Sequence, residues 1–319
     1  MHTHHHDQGH HHGHGHHHGH GAHHHGPPPR GHGRAFAIGV VLNAAFVAIE
    51  AGYGLAAHSM ALVADAGHNL SDVLGLLIAW SAASLAARPP SGRFTYGLKS
   101  SSILAALANS ALLIAAIGAI GAETIRHFFI PQPVAGQTVM AVAAIGIAVN
   151  TLTAILFMRG RHHDINIRGA FLHMAGDAAV SAAVVFSGFL ILRTGWTWID
   201  PLTSLLVLAV IGWSTWDLFG SALRLGLHGV PNGVDHGAVR QFLASRPHVA
   251  ALHDLHIWPI STTETALTAH LVMPGGHPGD AFLHDLAQDL EHHFAIGHAT
   301  IQIETSAANG CTLESDAVV

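Results

Sequence analysis

The sequence predicts a membrane protein in which an all-α six-helix transmembrane domain is followed by a small α/β domain. Three observations carry this prediction. Half of the 319 residues are hydrophobic and only 10% are charged, whereas soluble domains carry about 25% charged residues. Long apolar segments recur between residues 35 and 225. After Pro231 the composition changes to that of a soluble domain in which helix and strand periodicities alternate.

Residues 1–33 form a Gly/His tract with almost no apolar side chains to bury, and we expect this tail to be disordered. Its histidines are interrupted by Gly, Asp and Gln, which favours a natural metal-gathering tail over a purification tag. The tract lacks the apolar region of a secretory signal peptide. The whole chain has 33 His and one Cys, so metal or proton handling is indicated without thiolate clusters or an internal disulfide.

Six apolar segments follow within a transmembrane domain of residues 34–230, and a helix that spans a bilayer takes about 20 residues. Basic residues precede the first segment and lie mainly in the connections after the second, fourth and sixth. By the positive-inside rule both termini are cytoplasmic. The abundance of Ala, Gly and Arg suggests a bacterial gene, and hence the bacterial cytoplasmic (inner) membrane. The segments cover residues 35–57, 61–87, 101–126, 134–158, 168–193 and 200–225.

The second and fifth segments each contain a histidine and an aspartate four residues apart, His68 with Asp72 and His173 with Asp177. Residues four apart lie on one helix face, so each pair can share one ion. A single pair could equally be a mutually satisfied polar contact. Because ionisable residues inside a membrane normally mark an ion or proton path, the repeated pair favours one tetrahedral metal site. Asp65 is predicted either to support a ligand or line the exit path, or to be purely structural.

Residues 231–306 are predicted to form the α/β domain. Helical spacing covers residues 235–245 and 279–294, and strand alternation covers 251–260, 263–273 and 299–305. This α-β-β-α-β order predicts a ferredoxin-like domain with its helices on one side of the sheet. Residues 307–319 are expected to be disordered.

Six stretches follow one another along the chain: SMALVADAGHNLSD, RFTYGLKSSSILAALANS, NIRGAFLHMAGDAAVS, WIDPLTSLLV, LHDLHIW and ATIQIE. In their order and spacing they resemble the motifs of the cation diffusion facilitator family of divalent-metal transporters, and the resemblance runs from about Arg34 to Glu304. The resemblance implies efflux of a cytosolic divalent metal ion in exchange for protons, by alternating access, in a homodimer embedded in membrane lipid. Imidazole and carboxylate ligands favour Zn²⁺, with Co²⁺, Ni²⁺ and Cd²⁺ as alternatives.

Matched residue by residue, the resemblance implies a transport site and a further metal site in the cytoplasmic domain, at which Zn²⁺ would act as a regulatory ligand. Ser100 and Ser102 stand where the family often has a basic and an acidic residue, so no ion-pair latch between protomers is expected there. The implied transport ligands are His68, Asp72, His173 and Asp177. The implied cytoplasmic ligands are His253, His270 and Glu304, with His284 or His298 as a candidate fourth.

Two other classes of function are open to such a chain. A membrane-anchored metal store or sensor would use the His-rich tail and the cytoplasmic domain, and it would not need paired ligands inside the membrane. An intramembrane metalloenzyme would need HExxH or a nucleophile–base arrangement, and the sequence contains neither. Nothing in it indicates nucleic-acid binding. We therefore expect a transporter and not an enzyme, with the store or sensor as the alternative.

Overall fold

The structure is a computed structural model that describes residues 33–158 and 165–306. The predicted tails lie outside the described residues, except for Gly33 at the start of the first helix. Each of the six apolar segments is helical, and each helix begins and ends within a few residues of the predicted segment. The helices are α1 (Gly33–Ala56), α2 (Met60–Ala86), α3 (Ser101–Phe129), α4 (Gly136–Met158), α5 (Ile165–Thr194) and α6 (Ile199–Gly226).

Within the described residues, four helical stretches are long and apolar enough to cross a membrane: Met60–Ala86, Ser101–Phe129, Met174–Thr194 and Ile199–Gly226. Two further apolar stretches, Val41–Ala56 and Gly136–Leu152, are shorter. Large apolar side chains also lie on the outside of the helices. On α6, for example, Val210 is 65% exposed and Trp213 is 85% exposed. Such a surface needs an apolar solvent, which a bilayer supplies.

The helices pack in neighbouring pairs, with α4 against α5, α3 against α6, and α2 against both α1 and α3. Small residues allow the α4–α5 pair to approach closely. A Cβ atom added to Gly136 would lie 2.9 Å from Leu192 Cγ and 3.0 Å from the Gly188 carbonyl oxygen. A Cβ added to Gly188 would lie 2.8 Å from Met140 Cγ. Glycine at both positions therefore permits van der Waals packing that drives helix association in membranes.

The start of α2 is fixed to α6 by a buried carboxylate. Asp200 of α6 accepts a hydrogen bond from the Met60 backbone N–H at 2.6 Å and one from the Ala61 N–H at 3.3 Å. The Ser59 hydroxyl, at the N-cap of α2, also donates to Asp200. These contacts satisfy amide groups that have no partner within their own helix. The helix that carries His68 and Asp72 is thereby anchored at its first turn.

Replacing Asp200 with alanine is expected to destabilise the protein by on the order of 2–5 kcal/mol, because two amides and a hydroxyl would stay buried without their acceptor. The loss is measured as the shift in the unfolding midpoint of the detergent-solubilised protein. Asp217→Ala is the matched control, since Asp217 lies on the same helix and is exposed. It should change stability by no more than about 0.5 kcal/mol. Equal stability of the two variants would refute the anchoring role.

The C-terminal domain has the predicted α-β-β-α-β order. The strands form one sheet in the order β1-β2-β3, in which β1 and β2 are antiparallel and β2 and β3 are parallel. Its core joins the strands to both helices through residues such as Leu243, Leu267 and Leu290. Both helices therefore cover the same face of the sheet. The elements are α7 (His236–Ala244), β1 (Ala251–Pro259), β2 (Thr265–Val272), α8 (Asp280–Phe294) and β3 (His298–Glu304).

The connection between α2 and α3 lies against the β1–β2 loop of the C-terminal domain. The Ser100 hydroxyl donates to the Ile260 carbonyl oxygen at 3.1 Å. The Thr262 N–H donates to the Ser102 hydroxyl oxygen, also at 3.1 Å. Lys99 forms an ion pair with Glu264. The two serines thus hold the domains of one chain together through uncharged hydrogen bonds.

Candidate metal sites

His68, Asp72 and Asp177 form a cluster between α2 and α5. The Nε2 atom of His68 lies 3.1 Å from Asp177 Oδ1 and 3.7 Å from Asp72 Oδ2. One ligand atom from each of the three residues lies within 4.8 Å of the others. Asp177 is buried, while His68 and Asp72 are partly buried. The fold therefore brings together side chains that are 109 residues apart in sequence.

The spacing of these atoms suits a tetrahedral ion. With metal–ligand bonds of about 2.0–2.1 Å, adjacent ligand atoms around tetrahedral zinc are separated by about 3.3 Å. The distances from His68 Nε2 to Asp177 Oδ1 and Asp72 Oδ2, 3.1 and 3.7 Å, lie on either side of that value. The histidine and aspartate of α2 are adjacent because they are one turn apart, and the packing of α5 on α2 brings in Asp177.

His173 lies on α5, one helical turn before Asp177. Its side chain lies outside the described residues, so its place as the fourth ligand stays a prediction. The helical course of α5 through residues 173 and 177 keeps the two positions on one face.

A polar layer adjoins the cluster one turn away, towards the start of α2. Asp65 is fully buried and accepts a hydrogen bond from the Ser181 hydroxyl at 2.9 Å. Ser181 lies one turn after Asp177, so this bond links α2 to α5 beside the cluster. Asp65 itself is not one of the three clustered residues. Its contact links α2 to α5, and both predicted roles, support of the ligands or exit path and a purely structural contact, stay predictions.

The first helix also contributes to this layer. Glu50 of α1 is fully buried, and its Oε2 atom accepts a hydrogen bond from Asn69 Nδ2 at 3.0 Å. Asn69 directly follows His68 in the chain. A glutamate inside an apolar segment is expected to form an interhelical hydrogen bond, as Glu50 does, but the sequence did not identify Asn69 as its partner. Glu50 and Asp65 thus add two buried carboxyl groups to the polar layer beside the cluster.

A second cluster lies on the face of the C-terminal sheet that the helices leave open. His253 and His270 are paired residues on antiparallel strands, so their side chains point the same way. Glu304 Oε1 lies 3.3 Å from His253 Nε2 and 3.1 Å from His270 Nδ1. Gln302 donates a hydrogen bond to the same oxygen at 3.1 Å. These separations also suit one zinc-sized ion.

The structure does not bring His284 or His298 to this cluster. His284 is exposed on α8, within the layer on the other face of the sheet, and its ring contacts Gln288 at 3.1 Å. His298 begins β3, whereas Glu304 ends it, and six residues of strand span about 20 Å. The His298 ring instead packs edge-on against Tyr96, with centroids 5.5 Å apart. Within one chain, the cluster therefore consists of three of the five predicted residues.

Comparisons with known proteins found matches to both domains of the chain. Residues 36–225 match a family described as the cation efflux transmembrane domain, and residues 231–306 match the cytoplasmic domain of cation efflux proteins. The zinc transporter ZitB of Pectobacterium atrosepticum is 34% identical over 282 residues, which are 88% of this chain and 88% of that protein. A cadmium, cobalt and zinc/H⁺–K⁺ antiporter of Bacillus subtilis is 33% identical over 281 residues, 86% of this chain and 90% of that protein.

The metal cation efflux system protein CzcD of Cupriavidus metallidurans is 32% identical over 277 residues, 86% of this chain and 88% of that protein. These matches define the class, an integral multi-pass membrane transporter of divalent metal cations and not an enzyme. The chain belongs to the cation diffusion facilitator family. The resemblance predicted from the sequence motifs is thereby confirmed.

Proposed function

We propose that this protein exports Zn²⁺ from the cytoplasm in exchange for protons, and that His68, Asp72, His173 and Asp177 hold the ion in transit. The observation that carries the proposal is the cluster of His68, Asp72 and Asp177 between two apolar helices, with separations suited to a tetrahedral ion. The names of the relatives support zinc as the substrate, with cobalt and cadmium as further ions. One name includes proton antiport.

The proposed arrangement in the membrane has six spans, with both termini on the cytoplasmic side of the bacterial inner membrane. Residues 1–33 form a His-rich tail, 34–230 the transport domain, 231–306 a ferredoxin-like cytoplasmic domain, and 307–319 a short tail. The positive-inside distribution of basic residues supports this orientation. Dimerisation through the cytoplasmic domain would complete a homodimer in the lipid bilayer, as the family match of that domain supports.

The coupling of metal export to proton entry follows from the chemistry of the ligands. A metal ion needs neutral imidazole and ionised carboxylate, so the ion and protons compete for the same atoms of His68 and Asp177. If α2 and α5 open the site alternately to the cytoplasm and to the exterior, external protons displace the ion that entered from inside. The hydrogen bond between Asp65 and Ser181 lies on the exterior side of the site in this arrangement, so that separation of α2 from α5 on this side would have to break it.

The test uses the purified full-length protein in liposomes that contain a zinc indicator. At a clamped membrane potential, acidifying the lumen should accelerate zinc entry through molecules whose cytoplasmic side faces outward. Flux that ignores the pH gradient would contradict antiport. Tight zinc binding without any flux would instead favour the alternative, a membrane-anchored metal store or sensor.

The cluster of His253, His270 and Glu304 is proposed to bind zinc as a regulatory ligand. Its donors, two imidazoles and one carboxylate, are those that zinc accepts, and they are largely buried. The ion would fasten β3 to the β1–β2 pair. Their contacts with the α2–α3 connection then offer a route from this site to the transport domain.

Deleting residues 2–33 is expected to raise the zinc concentration needed for half-maximal flux and to leave the maximal flux nearly unchanged. A low-complexity histidine tract cannot hold a fixed geometry, but it raises the local metal concentration near the entrance. Flux is measured over a range of free zinc concentrations. The control replaces the histidines of the tail with serine at full length. Complete loss of maximal flux in a well-expressed truncation would contradict this role.

A further inference from the structure

His270 uses both of its ring nitrogens for contacts with carboxylates. Its Nδ1 atom lies 3.1 Å from Glu304 Oε1, within the metal cluster, and its Nε2 atom lies 3.3 Å from Asp254 Oδ2. The side chain of His270 is only 11% exposed. If Nδ1 binds a metal ion through its lone pair, the ring proton is on Nε2, and a buried N–H needs an acceptor. Asp254 is placed to be that acceptor.

A bulge in β1 is what brings Asp254 to this face of the sheet. His253 pairs with His270 and His256 pairs with Thr268, so Asp254 and Leu255 together oppose one residue of β2. Strict alternation after His253 would direct the Asp254 side chain to the face that the helices cover. Instead, its φ of 51° is left-handed, a conformation that aspartate and asparagine adopt more readily than most residues. Its carboxylate consequently lies beside His270.

The second oxygen of Asp254 is also engaged. Its Oδ1 atom lies 2.8 Å from His256 Nε2, and the His256 side chain is 42% exposed. Asp254 itself is only 10% exposed. The carboxylate is thus held from both sides, with one oxygen towards the solvent-facing histidine and the other towards the metal cluster.

We propose that Asp254 is a positioning residue for the cytoplasmic metal site: it accepts the Nε2–H of His270 and so leaves the Nδ1 lone pair directed at a divalent cation shared with His253 and Glu304. A carboxylate behind a metal-binding histidine fixes its tautomer and ring orientation and makes it a stronger ligand. The inference rests on the regulatory zinc site proposed above. It adds a residue that does not itself touch the ion.

The experiment titrates Zn²⁺ against the full-length protein and follows hydrogen exchange of the peptide that covers β3. The tail and the transport site lie in other peptides, and the His253→Ala variant reports any effect that zinc bound there has on β3. In the wild type, zinc should slow exchange in β3, and His253→Ala should abolish the effect. Asp254→Asn should raise the zinc concentration at the midpoint about tenfold, and Asp254→Gly about a hundredfold. Both replacements tolerate the left-handed backbone, and Asn keeps one weaker acceptor.

The outcomes separate the site from the role of Asp254. No zinc-dependent protection in the wild type would overturn the site, and the inference with it. If zinc protects β3 in the wild type but the midpoints of Asp254→Asn and Asp254→Gly both shift less than twofold, the site stands and the proposed role of Asp254 is overturned. Complete loss of the zinc-dependent protection in Asp254→Asn, as in His253→Ala, would show that Asp254 binds the ion directly, which contradicts a positioning role. Faster exchange of β1 and β2 without zinc in both variants would make it merely structural. The exposed His292→Asn is the matched control, with an unchanged midpoint.

Discussion

Replacing Asp177 with alanine is expected to lower zinc flux by about a hundredfold or more. Removing a group that only supports a ligand costs 10–100-fold in affinity or activity, so removing a ligand costs at least as much. Asp177 is 3% exposed, and its Oδ1 atom lies 3.1 Å from His68 Nε2. The variant loses one oxygen ligand and one negative charge, which leaves a cation less well compensated in an apolar surrounding.

The flux is measured in liposomes under the same pH gradient for every variant. Asp177→Asn keeps the shape and one oxygen and removes only the charge, so its flux should lie between those of the wild type and of Asp177→Ala. Asp217→Ala, an exposed aspartate on another helix, should transport like the wild type. An unchanged unfolding midpoint excludes misfolding as the cause. Near-normal flux in well-folded Asp177→Ala would eliminate this cluster as the transport site.

The helices were predictable because the membrane restricts the backbone conformations that a spanning segment can adopt. Without water to satisfy them, backbone groups must bond within each segment, and a long apolar run is therefore a helix. The spans of α2 and α6 consequently agree with the apolar runs to within a few residues. The strands of the C-terminal domain were predictable for a different reason. Alternation between core-facing and exposed positions gives a period of two, which β3 shows over most of its length.

The proposed transport site was predictable only in part. The spacing of His68 and Asp72 shows that they share a helix face, and this holds for any helix. That α5 brings Asp177 to the same place is a contact between distant segments, which the repeated motif suggested but local geometry could not establish. Glu50 shows more clearly what local sequence patterns cannot predict. Its hydrogen bond with Asn69 depends on how α1 packs on α2, and no local pattern records that packing.

The cytoplasmic cluster shows how register decides which residues meet. His253 and His270 meet because they are paired across two strands, and Glu304 joins them because it is paired with Val272. His298 has the same chemistry as His270 and lies on the same strand as Glu304, yet it is six residues away along that strand. Residue type alone could not show that His270 belongs to the cluster and His298 does not. The bulge that turns Asp254 towards His270 is likewise invisible to a rule of strict alternation.

Replacing His68 with aspartate is expected to retain transport and to raise the flux of Cd²⁺ or Mn²⁺ relative to Zn²⁺. Imidazole suits zinc and cobalt, whereas carboxylate oxygens suit harder or larger ions and relax the preference for a compact tetrahedron. His68 contacts both Asp72 and Asp177 through one nitrogen atom. An aspartate is shorter than histidine, so its oxygen would lie farther from those two carboxylates and enlarge the site. The flux relative to Zn²⁺ should therefore rise most for the larger ions.

The measurement compares initial flux for Zn²⁺, Co²⁺, Cd²⁺ and Mn²⁺ at one fixed pH gradient, in the wild type and in His68→Asp. The ratio of Cd²⁺ to Zn²⁺ flux should rise by about tenfold, the equivalent of about 1.4 kcal/mol of changed discrimination. His58→Asp makes the same chemical change at an exposed position beside α2, where the backbone φ of 53° also suits aspartate. Its ion ranking should equal that of the wild type. If His68→Asp also keeps the wild-type ranking, His68 does not set selectivity, and the filter lies elsewhere along the path.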